Sequence, residues 1–164
     1  MAFELMAPQH LPSSLDRRVF TKIFLAGSIE MGKATPWQDK LVKEFKDNDN
    51  IIFFNPRRAD WDSSWVQDPT PGTQFHTQVS WELDHIEKAD LVVFYFDPKT
   101  QSPITLLELG HCLGSNKLIA VCCPDGYFRK GNVVITCRKH NLSVLNSFED
   151  LVRAVRDFGQ QRSC

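Results

Sequence analysis

The sequence predicts an α/β fold in which helices cover both faces of a parallel sheet. Short apolar segments alternate with amphipathic ones along the chain after residue 19. The run at 91–96 (LVVFYF) is continuously apolar and rich in β-branched and aromatic residues, which is typical of a strand buried on both faces. This alternation of strand and helix implies that right-handed crossovers join the parallel strands.

The individual elements follow from the periodicity of the apolar residues. Strands are expected at residues 20–26, 51–54, 91–96, 117–123 and 143–145, and helices at residues 36–45, 74–88, 102–115 and 148–158. Residues 132–139 are ambiguous, because their β-branched residues favour a strand whereas Asn132 as a cap and the stop at His140 favour a helix. The helix is the preferred interpretation.

The length of 164 residues predicts one domain, spanning residues 19–164. Residues 1–18 show no apolar period and are expected to form a flexible N-terminal arm. The long segment 57–73 lies between a strand and a helix, and loops of this length are often binding loops.

The charge balance favours a small molecule as partner. Nineteen basic and 20 acidic residues give a formal net charge of −1, which offers no electrostatic attraction for nucleic acid or an anionic membrane. No signal-peptide pattern and no apolar stretch of about 18 residues is present, so a cytoplasmic protein is expected.

No metal or cofactor is expected. The five cysteines form no C-x-x-C pair and the five histidines show no ligand spacing, so reduced thiols and no zinc are predicted. Cys112, one turn after Glu108, has no identifiable basic partner and is expected to pack in the core.

Ligands of parallel sheets bind beyond the carboxyl ends of the strands, where the strand order reverses. Polar and small residues follow three of the predicted strands at this edge, which we call the rim. The candidate substrate-binding residues there are Gly27, Ser28, Asn55, Arg57, Arg58, Asp97 and Ser102. In the long loop that follows, Trp61 and Trp65 are candidates for stacking on a flat base.

Glu108 is the unusual residue of the helix after the central strand. Ser102 is expected to cap this helix and Pro103 to occupy its first position. Glu108 follows among leucines, about one turn from the rim, where a carboxylate would be largely desolvated and so would need a partner or a task. An exposed glutamate on the outer stripe of an amphipathic helix is the alternative, and periodicity does not decide between them.

A second pattern, at residues 27–34, nearly fits the phosphate-binding loop G-x-x-x-x-G-K-[ST]. Ala34 lacks the hydroxyl that would hold magnesium, and Glu30 would place a negative charge in a loop that cradles phosphates. These two departures from the pattern argue against a nucleoside-triphosphate site.

The motifs together resemble the nucleoside 2′-deoxyribosyltransferase family and the related deoxynucleoside-monophosphate N-glycosidases. They are FLAGSIEMG after the first strand, FNPRR after the second, a helix running into IEKADLVVFYFD, and the Glu of LLELGHCLG. The resemblance covers roughly residues 20–123, and the Glu-Leu-Gly helix after ADLVV is its most specific part. It implies a flavodoxin-like three-layer sandwich with a five-stranded parallel sheet.

The resemblance also implies an activity and roles for residues. Glu108 corresponds to the nucleophile, which would form a covalent deoxyribosyl intermediate before the sugar passes to another base. Glu82 corresponds to the acidic residue that positions the substrate and handles protons, with Asp84 as a near alternative that would bind substrate. The implied partners are a nucleoside or nucleotide and a free nucleobase, and a homo-oligomer stays open because a neighbouring subunit often completes the pocket in this family.

Departures from the family pattern leave the substrate open. Ser102 stands where the glycosidases tend to have a phosphate-binding serine, whereas Glu30 replaces a basic residue of their first turn and would repel a phosphate. Arg57 and Arg58 could restore a phosphate site. A deoxynucleoside-monophosphate hydrolase and a non-catalytic nucleotide sensor are therefore the alternatives to the transferase.

Overall fold

The computed structural model describes residues 2–12, 20–30, 34–58 and 64–162. Within these ranges the strands are β1 (Phe3–Met6), β2 (Thr21–Gly27), β3 (Ile51–Asn55), β4 (Leu91–Tyr95), β5 (Ile119–Cys122) and β6 (Val144–Leu145). The helices are α1 (Trp37–Glu44), α2 (Gln74–Lys88), α3 (Pro103–Leu113), α4 (Lys130–Lys139) and α5 (Phe148–Gln161). The predicted α/β class is confirmed, and the ambiguous segment 132–139 lies in a helix.

The sheet order is β1-β3-β2-β4-β5-β6, and all neighbouring strands are parallel. From β2 onward this is the order of flavodoxin-like folds. The chain leaves β2 for β3 on one side and returns to β4 on the other. The strand order therefore reverses between β2 and β4, and the loops that follow these two strands diverge at the rim.

The sheet has six strands rather than the predicted five, because the N-terminal segment adds β1 at the edge. Phe3 pairs with Ile52 and Met6 with Asn55, and the side chain of Leu5 is buried against the core. The described part of the expected flexible arm is therefore docked. A segment of four residues takes its strand character from the open edge of β3, which its own sequence does not reveal. Residues 13–18 of that arm lie outside the described residues.

The core has two parts, one on each face of the sheet. Trp81 of α2, Leu109 of α3 and Val133 of α4 belong to one hydrophobic cluster, so these three helices share a face. Trp37 of α1 and Leu151 of α5 belong to the other cluster. The arrangement brings α2 and α3, the helices that carry Glu82 and Glu108, onto the same face of the sheet.

In the described part of the chain, no helix is long and apolar enough to cross a membrane. The same residues contain no group of three or more His, Cys, Asp or Glu side chains that could hold a metal ion. The thiols of Cys112, Cys122, Cys123 and Cys137 are free and buried, as reduced core cysteines would be.

Candidate active site

Glu108 lies at the boundary between the buried and exposed sides of α3. Thr105, Leu109 and Cys112 of this helix face the core, whereas Ile104 and Leu107 are 59% and 70% exposed. Glu108 falls between these two stripes and is half-buried. Its carboxyl group is therefore neither sealed in the core nor placed on the outer stripe, and it lies within electrostatic reach of α2, so we call the region between α2 and α3 the groove.

A second carboxylate, Glu82 of α2, acts electrostatically on Glu108. Burial and then the negative charge of Glu82 raise the pKa of Glu108 from 4.5 to about 8. Burial also raises the pKa of Glu82, against the effect of a hydrogen bond from Gln78. Glu108 therefore keeps its proton to a higher pH than an ordinary glutamate does, and a second carboxyl group lies close enough to act on it.

Gln78 fixes the position of Glu82, and sequence reasoning missed it. Its side-chain amide donates hydrogen bonds to Oε1 of Glu82 at 2.8 Å and to the carbonyl oxygen of Pro56 at 3.0 Å. Its own oxygen accepts from Arg58 at 3.4 Å. Gln78 lies one helical turn before Glu82, and this i, i+4 spacing is the signal that could have found it.

The loops after β2 and β4 are joined by three buried hydroxyl groups. The oxygens of Ser28 and Ser102 are 2.5 Å apart, and the hydroxyl oxygen of Thr100 lies 2.7 Å from each of them. Ser102 occupies the cap position of α3, as predicted, but its side chain makes no capping hydrogen bond. Its backbone is left-handed, with φ of 49°, which turns the hydroxyl toward Ser28 instead.

Asp97 braces the same two loops. Its carboxylate accepts hydrogen bonds from the N–H groups of Thr35 at 2.7 Å and Lys99 at 2.9 Å. Burial would raise the pKa of Asp97, but these N–H donors outweigh it and the pKa is lowered. Asp97 is 2% exposed, so it supports the rim from within rather than presenting a free carboxylate to a ligand.

Glu30 bridges from the loop after β2 to the start of α3. Its Oε1 accepts from the N–H of Gln101 at 2.6 Å and from the N–H of Ser102 at 2.5 Å. The backbone of Glu30 is held at a positive φ of 28°. The sequence indicated that Glu30 weighs against phosphate, but it gave no sign that this side chain occupies backbone donors.

The remaining sequence candidates lie in different places. Asn55 is fully buried and holds β1, since its amide donates to Glu4 at 2.7 Å and its oxygen accepts from the N–H of Arg57 at 3.0 Å. Asp84 is exposed on α2, and the carboxylate of that helix whose charge acts on Glu108 is Glu82. Trp61 lies outside the described residues. Arg58 stacks its guanidinium on the ring of Trp65, 4.8 Å from the ring centre.

Gly27 allows the close approach on which the rim depends. A β-carbon at this position would lie 2.6 Å from the ring of Trp37 and 2.6 Å from the carbonyl oxygen of Tyr95. The Trp37 ring is also fixed, because its indole N–H donates to the carbonyl oxygen of Ser28 at 3.1 Å. Gly27 therefore acts through packing beneath the site.

Cys112 packs as predicted. It is fully buried, and burial together with the nearby Glu108 raises the pKa of its thiol to about 11. A thiol held this strongly in its protonated form is a poor nucleophile.

Comparison with known proteins identifies the family. Residues 21–127 match the family model described as "Nucleoside 2-deoxyribosyltransferase like". The chain belongs to this family. The suspected family is thereby confirmed. A comparison with curated proteins gave no match.

A solved structure, "Crystal structure of conserved protein from Enterococcus faecalis V583", is similar with a TM-score of 0.61. The two chains are 18% identical, and the similarity covers 84% of this chain and 98% of that one. At this identity the likeness shows the fold alone. The segment that matches the deoxyribosyltransferase-like family runs from β2 to Tyr127, so it includes the rim, Glu82 and Glu108. Proteins of this family bind small-molecule nucleosides.

The packing at Gly27 predicts a contrast between two glycines. Gly27→Ala should lower the free energy of unfolding by about 1 to 3 kcal/mol, because neither neighbour can move away from the new methyl group. Gly110→Ala is the matched control. It meets no atom within 4 Å in the interior of α3, so it should raise stability by roughly 0.5 to 1 kcal/mol. Urea unfolding of both variants measures the difference, and equal effects would contradict the packing account.

The pKa of Glu108 predicts a pH-dependent gain in stability for Glu108→Gln. Between pH 4.5 and about 8 the folded protein retains a proton that the unfolded chain has released, so wild-type stability falls as the pH rises through this window. Glutamine cannot ionise and avoids this loss. The variant should match wild type below pH 4.5 and melt at least about 4 °C higher at pH 9.

Thermal unfolding at pH 4, 7 and 9 measures this effect. Glu87→Gln, which removes an exposed carboxylate from the same face of the fold, is the control and should change little across the series. A Glu108→Gln advantage that stays constant with pH would contradict the raised pKa.

Proposed function

We propose that this protein is a nucleoside 2′-deoxyribosyltransferase that cleaves the N-glycosidic bond of 2′-deoxynucleosides through a covalent intermediate on Glu108. The observation that carries the proposal is the pair of Glu108 and Glu82, two partly desolvated carboxyl groups on adjacent helices below the rim. Membership of the deoxyribosyltransferase-like family supports the same activity.

The pair supplies the two groups that glycosidic cleavage requires. Departure of the base leaves positive charge on the anomeric carbon, and a carboxylate beside that carbon stabilises the charge and then forms an ester with it. In the proposed first step the C–N bond breaks, a Glu108 oxygen bonds to the anomeric carbon, and the leaving base takes the proton that the pair holds. Glu82, held by Gln78, is the group that passes this proton to the base.

The second step reverses the first with a different base. Nitrogen of an acceptor base attacks the anomeric carbon, its proton returns to the carboxyl pair through Glu82, and the ester to Glu108 breaks. Two displacements at one carbon retain its configuration. If water attacks in place of the base, the same intermediate gives hydrolysis, which is the alternative activity.

We assign the base and the sugar to opposite ends of the groove. Arg58, stacked on Trp65 and bonded to Gln78, lies at the Glu82 end, where flat and polar groups suit a nucleobase. Ser102 lies at the other end, six residues before Glu108, which is about 9 Å along the helix axis at 1.5 Å per residue. The sugar and its 5′ carbon would then lie between Glu108 and the start of α3. Arg57 is proposed to contribute to the base end, and Trp61, which lies outside the described residues, stays a sequence-based candidate for stacking on the base.

Substitution of Glu108 tests the nucleophile. Glu108→Gln and Glu108→Ala should lower kcat by at least about a thousandfold, because neither side chain can form the ester. Release of free base from deoxyadenosine, with and without a second base as acceptor, measures turnover by chromatography. Glu87→Gln is the control and should keep wild-type rates. Near-normal rates in the Glu108 variants would exclude the covalent mechanism.

The chemistry of the sugar predicts a preference for deoxyribosides. A 2′-hydroxyl withdraws electrons and destabilises positive charge at the neighbouring anomeric carbon, and burying it without a partner costs about 1 to 3 kcal/mol more. Deoxynucleosides should therefore turn over at least about tenfold faster than ribonucleosides with the same base. Matched pairs such as deoxyadenosine with adenosine provide the measurement. Equal rates would contradict the deoxyribosyl assignment, and tight binding without turnover would favour a nucleotide sensor.

A further inference from the structure

We infer that Glu30 determines which 5′ end the substrate may carry: its carboxylate occupies the backbone donors at the start of α3, so the site accepts a free 5′-hydroxyl and rejects a 5′-phosphate. This inference rests on the proposed function, since it concerns the substrate of the same site.

The carboxylate of Glu30 lies where a phosphate oxygen would bind. Two consecutive N–H groups, those of Gln101 and Ser102, donate to the same oxygen of Glu30 at 2.6 and 2.5 Å. Adjacent N–H groups that converge on one point are the donors that proteins offer to phosphate oxygens. Here a side chain of the protein itself takes that place, so an incoming phosphate would meet an occupied site.

Among the described residues, the hydroxyl groups of Ser28, Thr100 and Ser102 are already engaged with one another. Ser28 and Ser102 are 1% and 4% exposed, and both are bonded to each other and to Thr100. The Ser28 oxygen also accepts from the N–H of Asp97 at 2.9 Å. These hydroxyls hold the two loops together, so Ser102 is not presented to a phosphate as the sequence pattern suggested.

The charge near the start of α3 also disfavours a phosphate. Glu30 and the Asp97 carboxylate, which is held ionised by its lowered pKa, both lie at this end of the groove. The Arg58 guanidinium is engaged at the opposite end, where it contacts Trp65 and Gln78. The cation that acts on Asp97 is the exposed Lys99. The carboxylate that a dianionic phosphate would meet at the start of α3 is Glu30, which would repel it.

The carboxylate of Glu30 can still accept a hydrogen bond from a neutral donor. Both hydrogen bonds that Glu30 accepts from described residues go to its Oε1, and its Oε2 is left as an acceptor among those residues. A 5′-hydroxyl is a neutral donor that suits this oxygen, whereas a phosphate at neutral pH is chiefly an acceptor. The same side chain thus favours the nucleoside and disfavours the nucleotide. Its positive φ of 28° shows that the chain tolerates an unfavourable backbone to hold it there.

The test compares deoxyadenosine with deoxyadenosine 5′-monophosphate on wild type, Glu30→Gln and Glu30→Asp. The wild-type kcat/KM should be at least about tenfold higher for the nucleoside than for the monophosphate. Glu30→Gln should lower this ratio of the two kcat/KM values by at least about tenfold, because the repulsive charge is lost. Glu30→Asp keeps the charge and should keep a preference for the nucleoside. Glu87→Gln is the surface control and should leave the ratio unchanged.

Calorimetry on the same proteins measures the binding of the two ligands in parallel. Because binding does not require turnover, this measurement distinguishes a failure of this inference from a failure of the proposed function. If no protein releases base, the proposed function fails, and the binding ratio of the monophosphate to the nucleoside still decides the role of Glu30. A wild-type preference for the monophosphate, or a ratio that Glu30→Gln leaves unchanged, would overturn the inference. If Glu30→Gln does not fold, the wild-type ratio and Glu30→Asp decide it.

Discussion

Two glutamate side chains, Glu82 and Glu108, lie partly desolvated on neighbouring helices, and the rest of the site depends on how the fold keeps them there. Burial raises the pKa of both carboxyl groups, and the negative charge of Glu82 raises the pKa of Glu108 further. Such an arrangement opposes folding above neutral pH, so it persists only where surrounding structure holds both helices in place. The large hydrophobic cluster beneath α2 and α3 provides that support. Gln78 completes it by tying Glu82 to the turn after β3.

The rim is held by a separate set of interactions. The hydroxyls of Ser28, Thr100 and Ser102 and the carboxylate of Asp97 join the two loops that diverge where the strand order reverses. Tyr127 adds a brace from outside, because its hydroxyl donates to the carbonyl oxygen of Gln101 at 2.6 Å. Polar residues that look like ligand contacts in the sequence therefore hold the loops of the rim together, whereas the proposed reacting groups, Glu82 and Glu108, lie on α2 and α3.

The sequence predicted the sheet and the helices well, because buried parallel strands and amphipathic helices have strong apolar patterns. It failed where structure comes from tertiary contact. β1 depends on the free edge of β3, and the Ser102 side chain prefers Ser28 to its own helix. Local spacing does not encode either choice.

In the candidate site, too, some residues were predicted from the sequence and others depend on tertiary contact. Glu108 and Glu82 were predicted through the family resemblance, and the structure adds the electrostatic interaction between them. Asp84 lies two residues along α2 from Glu82 and therefore on a different face of the helix, where it is exposed, and its role in substrate binding stays a prediction. Gln78 and the contacts of Glu30 depend on side-chain geometry, and sequence patterns alone did not single them out for these roles.

Capture of the covalent intermediate tests the central claim most directly. A deoxynucleoside with fluorine on the 2′ carbon should react slowly, because fluorine withdraws electrons from the anomeric centre and delays both displacements. Mass spectrometry of the digested protein should then find one fluorinated sugar on the peptide that contains Glu108, and none in Glu108→Gln. Release of base with no labelled peptide, or a sugar attached to a different residue, would contradict the account.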